Sequence, residues 1–141
     1  MSTNSAIGVV INGKIKAVYC HWDGYVDGVG KTLLEHYNQE KTEQLVALGS
    51  ISILGKNIGT KHPFDLYDKN TCTFYGRDRG EEDVDAKMFN TANEFMEWFD
   101  GGEYWYILGT DGIWYFSEGD PLAWKRVDGA IERTQYLSTP K

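Results

Sequence analysis

The sequence has few of the residues that mark several large protein classes. Its 141 residues include only two cysteines, too few for a disulfide scaffold. Three prolines against sixteen glycines indicate many turns and few linkers. No stretch approaches the ~18 apolar residues that span a bilayer, and the N-terminal Met-Ser-Thr-Asn-Ser lacks the features of a signal peptide. We therefore expect one domain, residues 1–141, in the cytoplasm, with no membrane partner, no cofactor and a frayed C-terminal end.

Positive charge is also scarce. The chain has 14 Lys and Arg against 21 Asp and Glu, a net charge of −7. Such a surface repels phosphate, which argues against polymeric nucleic acid as a partner. It leaves room for a small anion held at one local site. Aromatic residues are plentiful, with five Trp, nine Tyr and six Phe, so the chain can build a folded core.

Turn signals and short apolar runs predict the fold class. We expect an α+β fold in which an antiparallel sheet, built from hairpins, is combined with two or three short helices. Asn12-Gly13 between two apolar runs predicts a type I′ hairpin turn, and Asp111-Gly112 predicts a second hairpin. A two-residue loop there would pair Leu108 with Tyr115. Apolar spacing and capping signals predict helices near residues 30–37, 42–48 and 91–99.

A glycine-rich segment precedes the first predicted helix. The run Gly28-Val29-Gly30-Lys31-Thr32 looks like the end of a P-loop, which requires a further glycine five residues before its Gly-Lys-Thr. That position is Tyr25, and Gly24 is one residue out of place, so we do not predict a nucleotide hydrolase of the P-loop class. Gly28, Gly30 and Lys31 still offer N–H groups and a cation to a small anion. The alternative is a tight turn that glycine permits.

Aromatic and arginine residues occur near other glycines. Trp22 and Tyr25 have the flat faces that stack on nucleobases, and Asp23 could accept a hydrogen bond from a ribose hydroxyl or a base amine. Arg77 and Arg79 in Gly-Arg-Asp-Arg-Gly suit bidentate contacts with phosphate. The alternative for the two arginines is pairing with the acidic residues at 81–85 on a solvated surface.

Cys20 and His21 raise the question of metal binding or catalysis. Adjacent strand residues point to opposite faces of a sheet, and the other His and Cys residues show no ligand spacing, so we predict no metal site. A nucleophilic Cys-His-Asp arrangement remains open, since its members need only meet in space. We predict no catalytic residue.

The block Tyr19-Cys20-His21-Trp22-Asp23-Gly24-Tyr25, followed by Gly28-Val29-Gly30 and a helix, resembles small phage-encoded proteins. The likeness extends to the first hairpin and to the Tyr-Trp-Tyr-Ile-Leu hairpin near the C terminus. The resemblance implies an accessory phage protein that acts in the host bacterial cytoplasm. Such proteins frequently counter host defence, and some sequester nucleotide signals.

These observations lead to an expected function. We predict a non-enzymatic, homo-oligomeric counter-defence protein that binds and sequesters a small nucleotide-derived immune signal without cleaving it. The predicted ligand-binding residues are Trp22, Asp23, Tyr25, Gly28, Gly30, Lys31, Arg77 and Arg79. One alternative is an inhibitor that binds a host defence enzyme. Another is a small hydrolase that uses His21, Asp23 or Cys20, and a structural or DNA-metabolism accessory role also stays open.

Overall fold

A computed structural model describes residues 2–66, 68 and 70–131; the C-terminal end that we expected to fray lies outside these residues. The described chain forms an α+β fold around one mixed sheet. The strands are β1 (Ser5–Ile11), β2 (Lys14–Cys20), β3 (Ile51–Ile53), β4 (Thr73–Phe74), β5 (Lys87–Phe89), β6 (Tyr104–Leu108), β7 (Trp114–Ser117) and β8 (Lys125–Arg126). The helices are a π-helical turn (Val26–Gly30), α1 (Lys31–His36), α2 (Gln39–Val46), α3 (Tyr75–Arg79) and α4 (Ala92–Trp98), and residues 127–131 are also helical.

The sheet is mostly, but not wholly, antiparallel. Its order is β4-β3-β2-β1-β6-β7-β8, and β5 also pairs with β2. The pairs β1–β6 and β2–β3 are parallel, so our expectation of a sheet built entirely from hairpins is wrong at these two places. In both cases a long connection that contains helices separates the paired strands, and such a connection can return the chain in the same direction.

The first hairpin has the turn that its sequence predicts. Asn12 and Gly13 have positive φ values of 52° and 77°, and Ile11 pairs directly with Lys14 across them. A type I′ turn needs left-handed backbone at both positions, which Asn and Gly tolerate better than other residues. The prediction of this hairpin is confirmed.

The second hairpin forms, but its register differs from the expected one. Leu108 pairs with Trp114, and Ile107 pairs with Tyr115. The connection is longer than Asp111-Gly112 alone, because the Gly109 N–H donates to the carbonyl of Ile113 at 3.0 Å. This shift by one residue reverses which side chains of the two strands share a face.

Two apolar clusters cover the two faces of the sheet. On one face α1, α2 and the π-helical turn pack against β1, β2, β6 and β7, and this cluster contains Leu33, Leu45, Val18, Tyr106 and Phe116. On the other face α4 inserts Phe95 and Met96 against β1, β2 and β6. The helices near 30–37, 42–48 and 91–99 are thus confirmed, although α2 begins earlier, where the Asn38 side chain caps the Lys41 N–H at 2.9 Å. Within the described part of the chain, no helix has the length and apolar character needed to cross a membrane.

Candidate ligand-binding site

Backbone hydrogen bonds fix the path of the segment that follows β2. The N–H groups of His21 and Trp22 donate to the carbonyls of Ile51 and Ser52 at 2.9 and 3.1 Å, which extends the pairing of β2 with β3. Asp23 then adopts a left-handed φ of 58° and turns the chain. The Gly24 N–H donates to the Thr3 carbonyl at 2.7 Å. These bonds place Trp22 beside β3.

Trp22 borders a groove of about 260 Å³, which we call the Trp22 groove. Its walls come from the end of β2, from β3, from the loop before β4 and from α3. The lining residues are His21, Trp22, Ser52, Ile53, Phe64, Tyr75 and Arg79. The rings of His21 and Trp22 meet edge to face, with centroids 4.7 Å apart. Aromatic surface and hydrogen-bonding groups therefore face one concave space.

Arg79 supplies the positive charge of this groove. Its guanidinium lies 4.3 Å from the ring centre of Phe64 and 5.0 Å from that of Tyr75. Its Nε also donates to Glu81 at 2.9 Å, so the predicted alternative of pairing with the acidic run is observed at this residue. The Arg79 side chain stays 49% exposed, and a solvent-exposed ion pair of this kind is weak. An incoming anion can therefore compete with Glu81.

Arg77 is directed elsewhere. Its guanidinium pairs with Asp78 at 3.0 Å and donates to the carbonyls of Ile58, Gly59 and Cys72 at 2.9–3.1 Å. The Arg77 side chain is only 13% exposed. These contacts join the loop that follows β3 to α3. Arg77 therefore braces the groove wall and does not meet Arg79 in the Trp22 groove.

Asp78 is the buried partner of this cluster. Burial alone would raise the pKa of its carboxyl, but hydrogen bonds from Arg77 and from the N–H groups of Phe74 and His62 lower it below its ordinary value. Asp78 is therefore ionised at neutral pH and balances the charge of Arg77. This pair fixes the start of α3, the helix that presents Tyr75 and Arg79.

Asp23 and Tyr25 line a second groove, of about 240 Å³, which we call the Asp23 groove. Asp27, Gly28 and Thr32 also border it. The Tyr25 hydroxyl donates to Asp23 at 3.2 Å, and the Asp23 charge raises the pKa of Tyr25. Ile53 contributes to both grooves, so the two are neighbours on either side of it.

The glycines of the Gly28–Gly30 segment are used within the fold. The N–H groups of Gly28 and Gly30 donate to the Tyr25 carbonyl at 3.0 and 3.4 Å, and a Cβ at Gly28 would lie 2.4 Å from the Asp23 carbonyl oxygen. These contacts match the tight-turn alternative. Lys31 begins α1 with an exposed side chain, and it is not among the described residues that border either groove.

The two cysteines are buried thiols. Burial, with a smaller effect of Cys72, raises the pKa of Cys20 to about 12. Burial also raises the pKa of Cys72, whose sulfur accepts the Gly55 N–H at 3.2 Å. A thiol with so high a pKa supplies almost no thiolate at neutral pH. Cys20 is therefore unsuited to the nucleophilic role that the hydrolase alternative requires.

Four residues of the Trp22 groove are not predicted from the sequence. Ser52 and Ile53 lie in a short apolar run, Phe64 in a loop, and Tyr75 at the end of a predicted strand. No local pattern marks them, because they approach Trp22 only through the pairing of β2, β3 and β4. The structure thus brings Trp22 and Arg79 together and places Asp23, Tyr25 and Gly28 next to them. It leaves Gly30, Lys31 and Arg77 outside both grooves.

Comparisons of the chain with protein-family models, with curated proteins and with solved structures found no match. Among the described residues, no group of three or more His, Cys, Asp and Glu side chains is arranged to hold a metal ion. The two grooves are therefore the structural basis for assigning a function.

Proposed function

We propose that this protein binds a small nucleotide-type anion in the Trp22 groove and holds it without cleaving it. One observation carries the proposal: Trp22 and Arg79, distant in sequence, line the same groove. An aromatic face and a guanidinium are the two groups that recognise a nucleobase and its phosphate.

The other walls of the groove support this ligand class. Phe64 and Tyr75 lie with ring centres 5.5 Å apart and add aromatic surface to the groove. Ser52 and His21 contribute hydrogen-bonding atoms. A nucleotide combines a flat π-system with a charged and hydroxyl-rich remainder, so each kind of wall has a matching part of the ligand.

The Asp23 groove fits the sugar or the amine of the same ligand. Asp23 accepts hydrogen bonds when ionised, and Tyr25 is 42% exposed beside it. Asp23 follows Trp22 directly in the chain, so a ligand that crosses Ile53 can contact both residues. Carboxylates repel phosphate, which assigns the anionic end of the ligand to the Arg79 side.

Sequestration of a host immune signal is the biological role that we attach to this binding. It rests on the resemblance to phage-encoded proteins, which also places the proposed action in the host cytoplasm. A protein that competes with a host receptor needs submicromolar affinity, roughly −8 kcal/mol or better.

Calorimetric titration tests the proposal. The ligands are a panel of cyclic and ADP-ribose-type nucleotides, and we expect at least one to bind with submicromolar affinity. Trp22→Ala should weaken that binding about tenfold or more, since base stacking contributes ~1–3 kcal/mol. Arg79→Ala should weaken it comparably by removing the phosphate contact.

The chain offers a matched control for Arg79. Arg126 is an exposed arginine that also pairs with an acid two residues on, Asp128, at 2.7 Å. Arg126→Ala should leave nucleotide affinity unchanged. The absence of binding to the whole panel at micromolar concentrations would contradict the proposal, and so would equal losses in the two arginine variants.

Release of the bound nucleotide by heating distinguishes binding from hydrolysis. A sequestering protein returns its ligand intact, whereas a hydrolase returns product. With Cys20 buried, the hydrolase alternative depends on His21 and Asp23, which line different grooves. Recovery of cleaved nucleotide would therefore redirect attention to these two residues.

A second candidate function is inhibition of a host protein. Trp98 is 37% exposed on the α4 side of the sheet, and it packs against the partly buried Phe89 with ring centres 5.3 Å apart. Such an apolar patch favours contact with another protein or with a second copy of this chain. A stoichiometric partner captured from host lysate, lost in Trp98→Asp and kept in Trp22→Ala, would support inhibition over sequestration. Light scattering of Trp98→Asp would show whether the patch joins copies of the chain.

A further inference from the structure

His62 is held at three points in the loop between β3 and β4. Its backbone N–H donates to Asp78 Oδ1 at 3.1 Å. Its ring nitrogens lie 2.8 Å (Nδ1) and 2.9 Å (Nε2) from the carbonyl oxygens of Pro63 and Cys72. The imidazole is largely enclosed, with its side chain 11% exposed. Phe64 follows soon after in the same loop and forms a wall of the Trp22 groove.

The contacts of the ring favour its protonated form. A carbonyl oxygen only accepts hydrogen bonds, so both ring nitrogens are satisfied together only when both carry a proton. The hydrogen bonds to Cys72 and Pro63 raise the pKa of His62, partial burial and the nearby Arg77 lower it, and the Asp78 carboxylate raises it. The net result is a pKa above the ordinary value of 6.5.

We propose that His62, as an imidazolium, is a positioning residue that holds Phe64 in the wall of the Trp22 groove. The groove then binds its nucleotide-type ligand best when His62 is protonated. The dependence of ligand binding on His62 rests on the proposed function, whereas the positioning of Phe64 does not.

Loss of the proton has a defined consequence. One ring nitrogen then presents a lone pair to a carbonyl oxygen, so the contact with either Pro63 or Cys72 is lost. Phe64 then keeps only its ring contact with Tyr75 and its contact with the Arg79 guanidinium, so its position in the groove wall is less firmly fixed. Because the pKa is raised in the folded state, the contact is complete below about pH 6.5 and is lost as pH rises through the folded-state pKa.

Nuclear magnetic resonance of the wild-type protein tests the positioning without any ligand. The C–H resonances of the His62 ring should titrate with a midpoint above about 6.5. The resonances of Phe64 should shift with the same midpoint in the wild type and in His21→Gln, and should not titrate in His62→Gln. Phe64 resonances that do not follow the His62 titration would overturn the proposal. This outcome can be read from the wild-type protein alone, so it does not depend on whether a variant folds.

Measurement of nucleotide affinity at different pH values tests whether ligand binding depends on the protonation of His62. The probe is a cyclic mononucleotide, whose single phosphodiester charge stays constant from pH 6 to pH 8.5. Its affinity for the wild type should fall about fivefold over this range, the effect of one ordinary hydrogen bond. His62→Gln should show the lower affinity throughout, while His36→Gln, a change at an exposed helix end, should keep the wild-type profile.

The outcomes separate the two proposals. If Phe64 follows His62 but neither the cyclic mononucleotide nor any other nucleotide of the panel binds the protein, the proposed function fails and the positioning of Phe64 stands. If the nucleotide binds the wild type with an affinity independent of pH, the linkage between His62 and the groove is wrong. His21 also borders the groove, so a pH dependence that disappears in His21→Gln and persists in His62→Gln would assign the effect to His21 instead.

Discussion

Arg77 and Arg79 show how two similar residues take different roles. Residues two apart in a helix do not face each other, and both lie in α3. One guanidinium therefore turns inward to Asp78 and the loop carbonyls, and the other reaches the Trp22 groove. The sequence motif Gly-Arg-Asp-Arg-Gly predicts two equivalent phosphate ligands only when the segment is taken for a loop. Its helical backbone removes that equivalence.

Among single residues, Asp78 is the one whose substitution should lower the free energy of unfolding most. Asp78→Asn removes the charge that balances Arg77 in a nearly enclosed site, and breaking such a pair costs about 3 kcal/mol. Urea denaturation should show this decrease in the free energy of unfolding. Asp128→Asn, which breaks an exposed pair, should have little effect. If Asp78→Asn lowers the free energy of unfolding as little as Asp128→Asn does, the Asp78–Arg77 pair is not important for stability.

Strand β6 connects the far side of the sheet to the candidate site. The Tyr106 side chain is fully buried, and its hydroxyl donates to the Gly24 carbonyl at 2.6 Å. The same ring lies close to Gly30, where a Cβ would stand 3.2 Å from it. This strand therefore holds the turn that follows Trp22 and the π-helical turn in place.

Tyr106→Phe should loosen that turn. The substitution leaves the Gly24 carbonyl without its donor, and we expect a loss of about 1 kcal/mol in the free energy of unfolding. Nucleotide affinity should also fall, because Trp22 adjoins the released segment. Tyr104→Phe on the same strand is the control, since Tyr104 is partly exposed. An unchanged affinity in Tyr106→Phe would show that Trp22 is positioned by its pairing with β3 alone.

The whole molecule combines two titrating groups of opposite behaviour, the buried Asp78 and the partly buried His62. The lowered pKa of Asp78 contributes stability above about pH 3.8 that is lost as pH falls through the folded-state value. The raised pKa of His62 contributes stability below about pH 6.5 that is lost as pH rises through its folded-state value. Asp111 and Asp128 also have lowered pKa values, but both lie at the surface, where solvent screens them.

Stability should therefore be greatest at mildly acid pH. The urea midpoint should be higher at about pH 5.5 than at pH 3 or pH 8.5. In Asp78→Asn the urea midpoint should fall less between pH 5.5 and pH 3 than in the wild type. In His62→Gln it should fall less between pH 5.5 and pH 8.5. A wild-type midpoint that rises steadily between pH 5.5 and pH 8.5 would contradict the assignment of His62 as an imidazolium.

The sequence by itself determined the features that depend on neighbouring residues. Asn12-Gly13 specifies its turn through backbone preference, and Thr91 caps α4 by accepting the Glu94 N–H at 3.1 Å. The helices and the α+β class follow from apolar spacing in the same way. Each of these features is settled within a few residues, so the pattern of the chain suffices.

Only the tertiary structure decided which residues form the candidate site. Phe64, Tyr75 and Arg79 reach Trp22 because β2, β3 and β4 pair side by side, and no local pattern encodes that order. The register of the second hairpin and the parallel pairs depend likewise on the length of connections and on packing against the helices. The strand order thus brings together an indole and a guanidinium that lie far apart along the chain.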